Sequence, residues 1–149
     1  MKNMVKYVYI ISSIIFLLYL SLPNFNFPHK PEDALKSEEP ADSEDPQRKA
    51  YFTDLNRNEV MSFYLHQTRT EILLGLKLPT YQLNYPPEES KTIIRDQTRS
   101  TFLEEIVHPF RESVFINGFE PLEAKDAILI NKKIWRQKII VKQVESSII

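Results

Sequence analysis

The stretch FLEEIVHPFRE, residues 102–112, places Glu104, Glu105, His108 and Arg111 within eight consecutive positions. Those side chains could supply a carboxylate base, a metal ligand, an imidazole acid–base and an anion-binding guanidinium. Glu105 and His108 have the E-x-x-H spacing that puts two groups on one face of a helix. Metal–carboxylate bundles use that pair in two copies, with further glutamates from other helices. One copy occurs here, and the remaining histidines, His29 and His66, lie elsewhere and supply no second. Glu104 and His108, four apart, equally suit a charge interaction at a helix C-terminus. Ser100, Thr101 and Ser113 lack the strand–turn–helix elbow of a hydrolase nucleophile. Arg95, Arg99 and Arg111 could form an anion site, but Asp96 and a glutamate beside Arg111 offer them simpler partners.

With no cysteine, thiolate metal sites, disulfides and a thiol nucleophile are excluded, and with two glycines so is a Gly-rich phosphate loop. No metal site and no cofactor are implied. A membrane-tethered hydrolase or metal-dependent enzyme using Glu104, Glu105 and His108, with Arg111, is the alternative to a structural junction.

Which elements hold these residues? Asn56 stands three positions before Glu59, the spacing of a capping box. A helix is expected to follow it to about residues 72–75. In LKLPTYQLNYPP the prolines limit the alternating Leu83 and Tyr85 to an edge strand. Pro86-Pro87-Glu88-Glu89 predicts a second helix running from Pro87 to about Val107, stopped by Pro109. Beyond it, SVFINGF is β-favouring, and Asn131-Lys132-Lys133 is a hairpin loop between two further runs. In the last strand Trp135, Ile139 and Val141 share a core face, and Arg136, Lys138 and Lys142 a wet one. The fold class is α+β: two helices packed on a short antiparallel sheet, over residues 49–145, with 146–149 as a tail.

Ahead of that domain, residues 7–22 are uncharged and mostly apolar, with Lys2 and Lys6 before them and Pro23 after. Bulky residues fill the exit, LYLSLPNFNF, where a cleavage site needs small ones. An uncleaved transmembrane signal-anchor is therefore expected over a cleaved, secreted domain. Phe25 and Phe27 suit the outer interfacial zone. Residues 1–6 form a short stub. Between Glu32 and Pro46 seven acids face one lysine, so the positive-inside rule puts the N-terminus in the cytoplasm and the domain outside. Five prolines and those acids make residues 23–48 an extended, mobile spacer.

Residues 83–121, LNYPPEESKTIIRDQTRSTFLEEIVHPFRESVFINGFEP, resemble a group of short, N-terminally anchored bacterial membrane proteins. The resemblance implies a bacterial envelope location and transfers no activity, cofactor or site residue. The expected protein is a single-pass membrane protein carrying a binding or envelope-associated module. Its partner is an envelope protein, or an anionic polymer met by the basic last strand. Nucleic acid is not expected outside the cytoplasm.

Overall fold

The apolar N-terminal run forms one helix, α1 (Lys2–Leu20), in a computed structural model that describes residues 2–70, 75–95 and 99–146. Asn3–Leu20, 18 residues with a mean hydropathy of 1.6, is long and apolar enough to cross a membrane.

Six strands make one antiparallel sheet. They are β1 (Leu35–Lys36), β2 (Arg48–Thr53), β3 (Tyr81–Tyr85), β4 (Phe102–Val107), β5 (Ser113–Phe119) and β8 (Gln137–Val144), in the order β1-β2-β8-β5-β4-β3. A short helix, α2 (Pro40–Ser43), links β1 to β2, and α3 (Arg57–Thr70) follows β2. β3, β4 and β5 run up and down as neighbours, and β8 adds beside β5. A separate hairpin of β6 (Ile128–Ile130) and β7 (Lys133–Trp135) interrupts the path between β5 and β8. Its two-residue turn, Asn131-Lys132, has φ of 54° and 63°, the doubly left-handed conformation that matches strand twist.

The capping box forms as expected. Asn56 N–H donates to Glu59 Oε2 at 2.7 Å, and Glu59 N–H donates to Asn56 Oδ1 at 3.0 Å. A cap of this kind contributes about 1 kcal/mol. Val60, Met61 and Tyr64 of α3 pack on Phe102, Ile106, Ile116, Ile139 and Val141 of the sheet. The expected end of this helix near residues 72–75 falls largely outside the described residues.

The long helix expected over residues 87–107 does not form. Pro87–Glu89 makes a 3-10 turn and Lys91–Arg95 a π turn, which Arg95 leaves with φ of 93°. Phe102–Val107 is strand. The turn segment covers the second face of the sheet, where Ile94 packs on Ala50, Leu103 and Ile140. With both faces covered, the strand carries no wet side, and its apolar residues do not alternate cleanly. For the same reason the expected wet face of β8 is only partly wet, because Ile140 on it is buried.

Residues 23–48 are also not an extended spacer. They supply β1, which pairs with β2, and α2, whose Asp42 is buried. Asp42 accepts from Ser37 Oγ at 2.7 Å and pairs with Lys138 at 2.7 Å and Arg48 at 3.4 Å. Mutual repulsion of the acids is overcome by cations from β2 and β8. Phe25 and Phe27 turn inward rather than toward an interface. Phe25 is buried beside His108, and Phe27 packs against the α3 cluster under Lys49.

Candidate functional site

Alternation along β4 decides the fate of the two glutamates. Glu104 lies on the α3 face and Glu105 on the opposite one, so the pair is divided by the sheet. Arg57, the first residue of α3, reaches Glu104 Oε1 with Nε at 2.7 Å and Nη2 at 2.6 Å. Gln82 Nε2 of β3 donates to its other oxygen, and Arg57 also donates to Asn84 Oδ1 at 3.2 Å. Across the sheet, Tyr85 donates its phenol to Glu105 Oε2 at 2.6 Å. That hydrogen bond, with burial and the carboxylate charge, pushes the Tyr85 pKa up to about 12. Each glutamate is thus closed off by partners on its own face.

His108 and Arg111 belong to the β4–β5 turn. His108 N–H donates to Glu112 O at 3.1 Å, and Arg111 N–H to His108 O at 3.0 Å. Between them stand Pro109 and Phe110, whose φ is 62°. Proline second and a left-handed residue third is the pattern of a type II turn, where glycine normally takes the third place.

Below the turn, Glu112 joins the two candidates. His108 Nδ1 lies 2.9 Å from Glu112 Oε1, and Arg111 Nη2 donates to Glu112 Oε2 at 2.8 Å, with all three side chains buried. The His108 ring lies 4.9 Å from that of Phe25.

Arg111 then reaches the end of the apolar helix. Its Nη1 donates to Tyr19 O at 3.0 Å and Leu22 O at 2.8 Å, and its Nη2 to Pro23 O at 2.9 Å. A cation there satisfies carbonyls that lack helical partners and complements the negative end of the dipole. Tyr19 returns the contact, donating its hydroxyl to Pro109 O at 2.8 Å. Of the ionisable groups crowded into this turn, Arg111, braced by Glu112, holds the exit of α1 to the domain.

Among the described residues the join borders only a small cavity. A cavity of about 20 Å³ lies beneath it, lined by Phe25, His108, Glu112 and Gln143 among others, room for one water molecule. Larger clefts of about 400 Å³ and 310 Å³ lie at β1 and at the β6–β7 hairpin, and none of the four candidates lines them. Among the described residues no three His, Asp or Glu side chains converge to hold a metal ion. The other anion-site candidates disperse. Arg95 pairs with Glu44, and Arg99 with Asp126 at 3.1 Å, while Asp96 lies outside the described residues.

Arg57, Gln82 and Tyr85, the partners that explain the glutamates, carry no sequence signal that points to them. Phe110 had one: a Pro-X pair between two β-favouring runs marks a turn. The long-helix reading of residues 87–107 hid it.

The Glu112 carboxyl carries a pH signature. Burial pushes its pKa up, but the hydrogen bond from His108 and the charge of Arg111 outweigh burial and hold it below the ordinary 4.5. A pKa lower in the folded than in the unfolded state contributes stability above the unfolded value, lost as pH falls through the folded one. Acid titration of stability is expected to show a loss beginning near pH 4.5 that Glu112→Gln removes. Equal acid slopes for the two proteins, in paired denaturant melts, would contradict it.

The chain matches no protein-family model, no curated protein and no solved structure.

Proposed function

We propose that this chain is a single-pass, N-in membrane protein of the bacterial envelope, whose α+β domain binds another envelope protein and is not an enzyme. One observation carries the reading: the groups that could do chemistry are held in structural pairings, within the domain for Glu104, Glu105 and His108 and with the exit of α1 for Arg111. Glu104 and Glu105 are divided by the sheet, and His108 and Arg111 are fixed by Glu112 and the helix exit.

A second feature favours a protein partner over an anionic polymer. Three of the cations in the basic terminal segment already serve the chain's own acids: Lys133 on Asp54, Arg136 on Glu120, and Lys138 on Glu39 and Asp42. Meanwhile the pole opposite the helix exit exposes apolar side chains. Leu129 and Ile134 are cross-strand partners in the β6–β7 hairpin, both largely exposed, and Leu122 nearby is 93% exposed. Adjacent exposed apolar groups of this kind mark interaction surfaces.

The test pairs topology with contact. A reporter fused after Ile149 should be active only on the outer side, and cytoplasmic activity would overturn the orientation. A photoreactive residue at Leu129 should give one discrete protein adduct in intact cells, absent when the probe is moved to Tyr81 on the β3 edge. Adducts of equal pattern from both positions, or none from either, would count against the binding module.

A further inference from the structure

We propose that Phe110 is a second membrane contact: the β4–β5 turn inserts its aromatic tip into the outer interfacial layer of the bilayer, seating the domain directly on the lipid. The inference rests on α1 spanning a membrane, and it specifies a surface that reading leaves open.

Three observations converge on this residue. First, its conformation is unfavourable without a reason. Phe110 has φ of 62° at a turn position suited to glycine, and a bulky residue held there costs about 1–2 kcal/mol. Second, the strain brings no burial within the protein. Phe110 remains 74% exposed, whereas Phe25 of the adjoining segment is buried. Third, its ring meets the apolar helix itself. It packs edge-on against Phe16 with centroids 5.6 Å apart, and Phe16 stacks with Tyr19 at 6.4 Å.

Length fixes the depth of that contact. Eighteen residues at about 1.5 Å each make about 27 Å, close to the roughly 30 Å of hydrocarbon a span must cross. The helix has no surplus turn to hold outside the bilayer. Phe16 lies one turn inside the helix end at Leu20, about 6 Å deep along the axis. A ring packed on Phe16 therefore sits at the boundary between hydrocarbon and headgroups, where aromatic side chains are favoured. Arg111 and Tyr19 keep it there, because they tie the same turn to the helix exit from both sides. Phe25 and Phe27, turned into the domain, do not occupy this zone. Tyr19 and Phe110 take it instead.

The absence of cysteine makes the test direct. Full-length Phe110→Cys, Phe16→Cys and Leu122→Cys each take one nitroxide label and are reconstituted into vesicles of phosphatidylcholine and phosphatidylglycerol. Collision rates with oxygen and with a water-soluble nickel chelate report depth. The oxygen-to-nickel ratio at position 110 should approach that at 16 and exceed that at 122 several-fold. If 16 reads as lipid and 110 as water, this proposal fails and the span stands. If 16 and 110 both read as water, the span itself fails. A photoreactive phenylalanine analogue at position 110 keeps the aromatic shape and should yield a phospholipid adduct in native membranes. Adducts to protein alone would overturn the proposal independently of the label.

Discussion

Arg111→Ala should lower the stability of the full-length protein by about 3–5 kcal/mol, the range for breaking a buried, hydrogen-bonded ion pair. The guanidinium is fully buried and makes four hydrogen bonds, to Glu112 and to the carbonyls of Tyr19, Leu22 and Pro23. Truncation leaves a buried carboxylate with His108 as its remaining side-chain partner and removes a donor from three carbonyls at the helix exit. Arg111→Lys restores the charge but not the fork, since one ammonium cannot meet acceptors spread over residues 19–23 and 112. It should recover less than half of the loss. Denaturant midpoints of the protein in lipid nanodiscs measure the cost. Hydrogen exchange then separates this joint from a general core defect: protection over residues 19–25 should fall while that of Ile139–Val141 holds at matched stability. An alanine variant within 1 kcal/mol of the parent would show that the bonds to the helix exit contribute little.

Gly118→Ala is the second large effect, and here the sign is diagnostic. Alanine in place of glycine within a strand normally stabilises by about 0.5–1 kcal/mol. Gly118 pairs with Phe102 across β4 and β5, and the Phe102 ring occupies the space an added Cβ would need, with three ring atoms too close. The ring cannot simply swing away. Phe102 is buried, and the Arg57 guanidinium that also holds Glu104 lies 5.3 Å from its centroid. A loss of about 1–3 kcal/mol is expected, the usual cost of forcing atoms into a packed core. Adding Phe102→Leu should return part of it, since residues in contact are not additive. A Gly118→Ala protein as stable as the parent would mean that the ring does not lie over this glycine.

The two elements most legible in the sequence are those whose signals are local. Asn56 and Glu59 satisfy each other within one turn, and Asn131-Lys132 adopts the left-handed turn between two strands that pair with each other. The misread elements depend on distant partners. Two neighbouring carboxylates on β4 look like a charged helical face until Arg57 and Gln82 on one side and Tyr85 on the other are brought to them. The acids of residues 32–46 look like a solvated spacer until Lys138, from the far end of the chain, lies against Asp42 and Glu39. Periodicity records which side chains are apolar, and it is silent when a polar residue is buried by a partner elsewhere. The sequence places the candidate cluster at a join between a helix and a strand, whereas the structure puts Glu104 and Glu105 inside β4 and His108 and Arg111 in a turn between two strands. That this turn joins the domain to α1 depends on contacts between residues 19–23 and 109–111, about ninety positions apart.

The placement of β2 beside β8 also sets an order of events during synthesis. Arg48 pairs with Lys142 and Thr53 with Gln137, so β2, which has β1 on one side early, gains its second sheet neighbour only after nearly the whole chain exists. Until then β3, β4 and β5 can form a meander, while β2 waits with one edge unsatisfied. Such pairings fold slowly, because a long loop must close before the contacts that reward it form. A ribosome releasing this protein would therefore deliver the apolar helix first and a foldable sheet last. In the interval, the half-made chain is the species most exposed to proteases and to other strands.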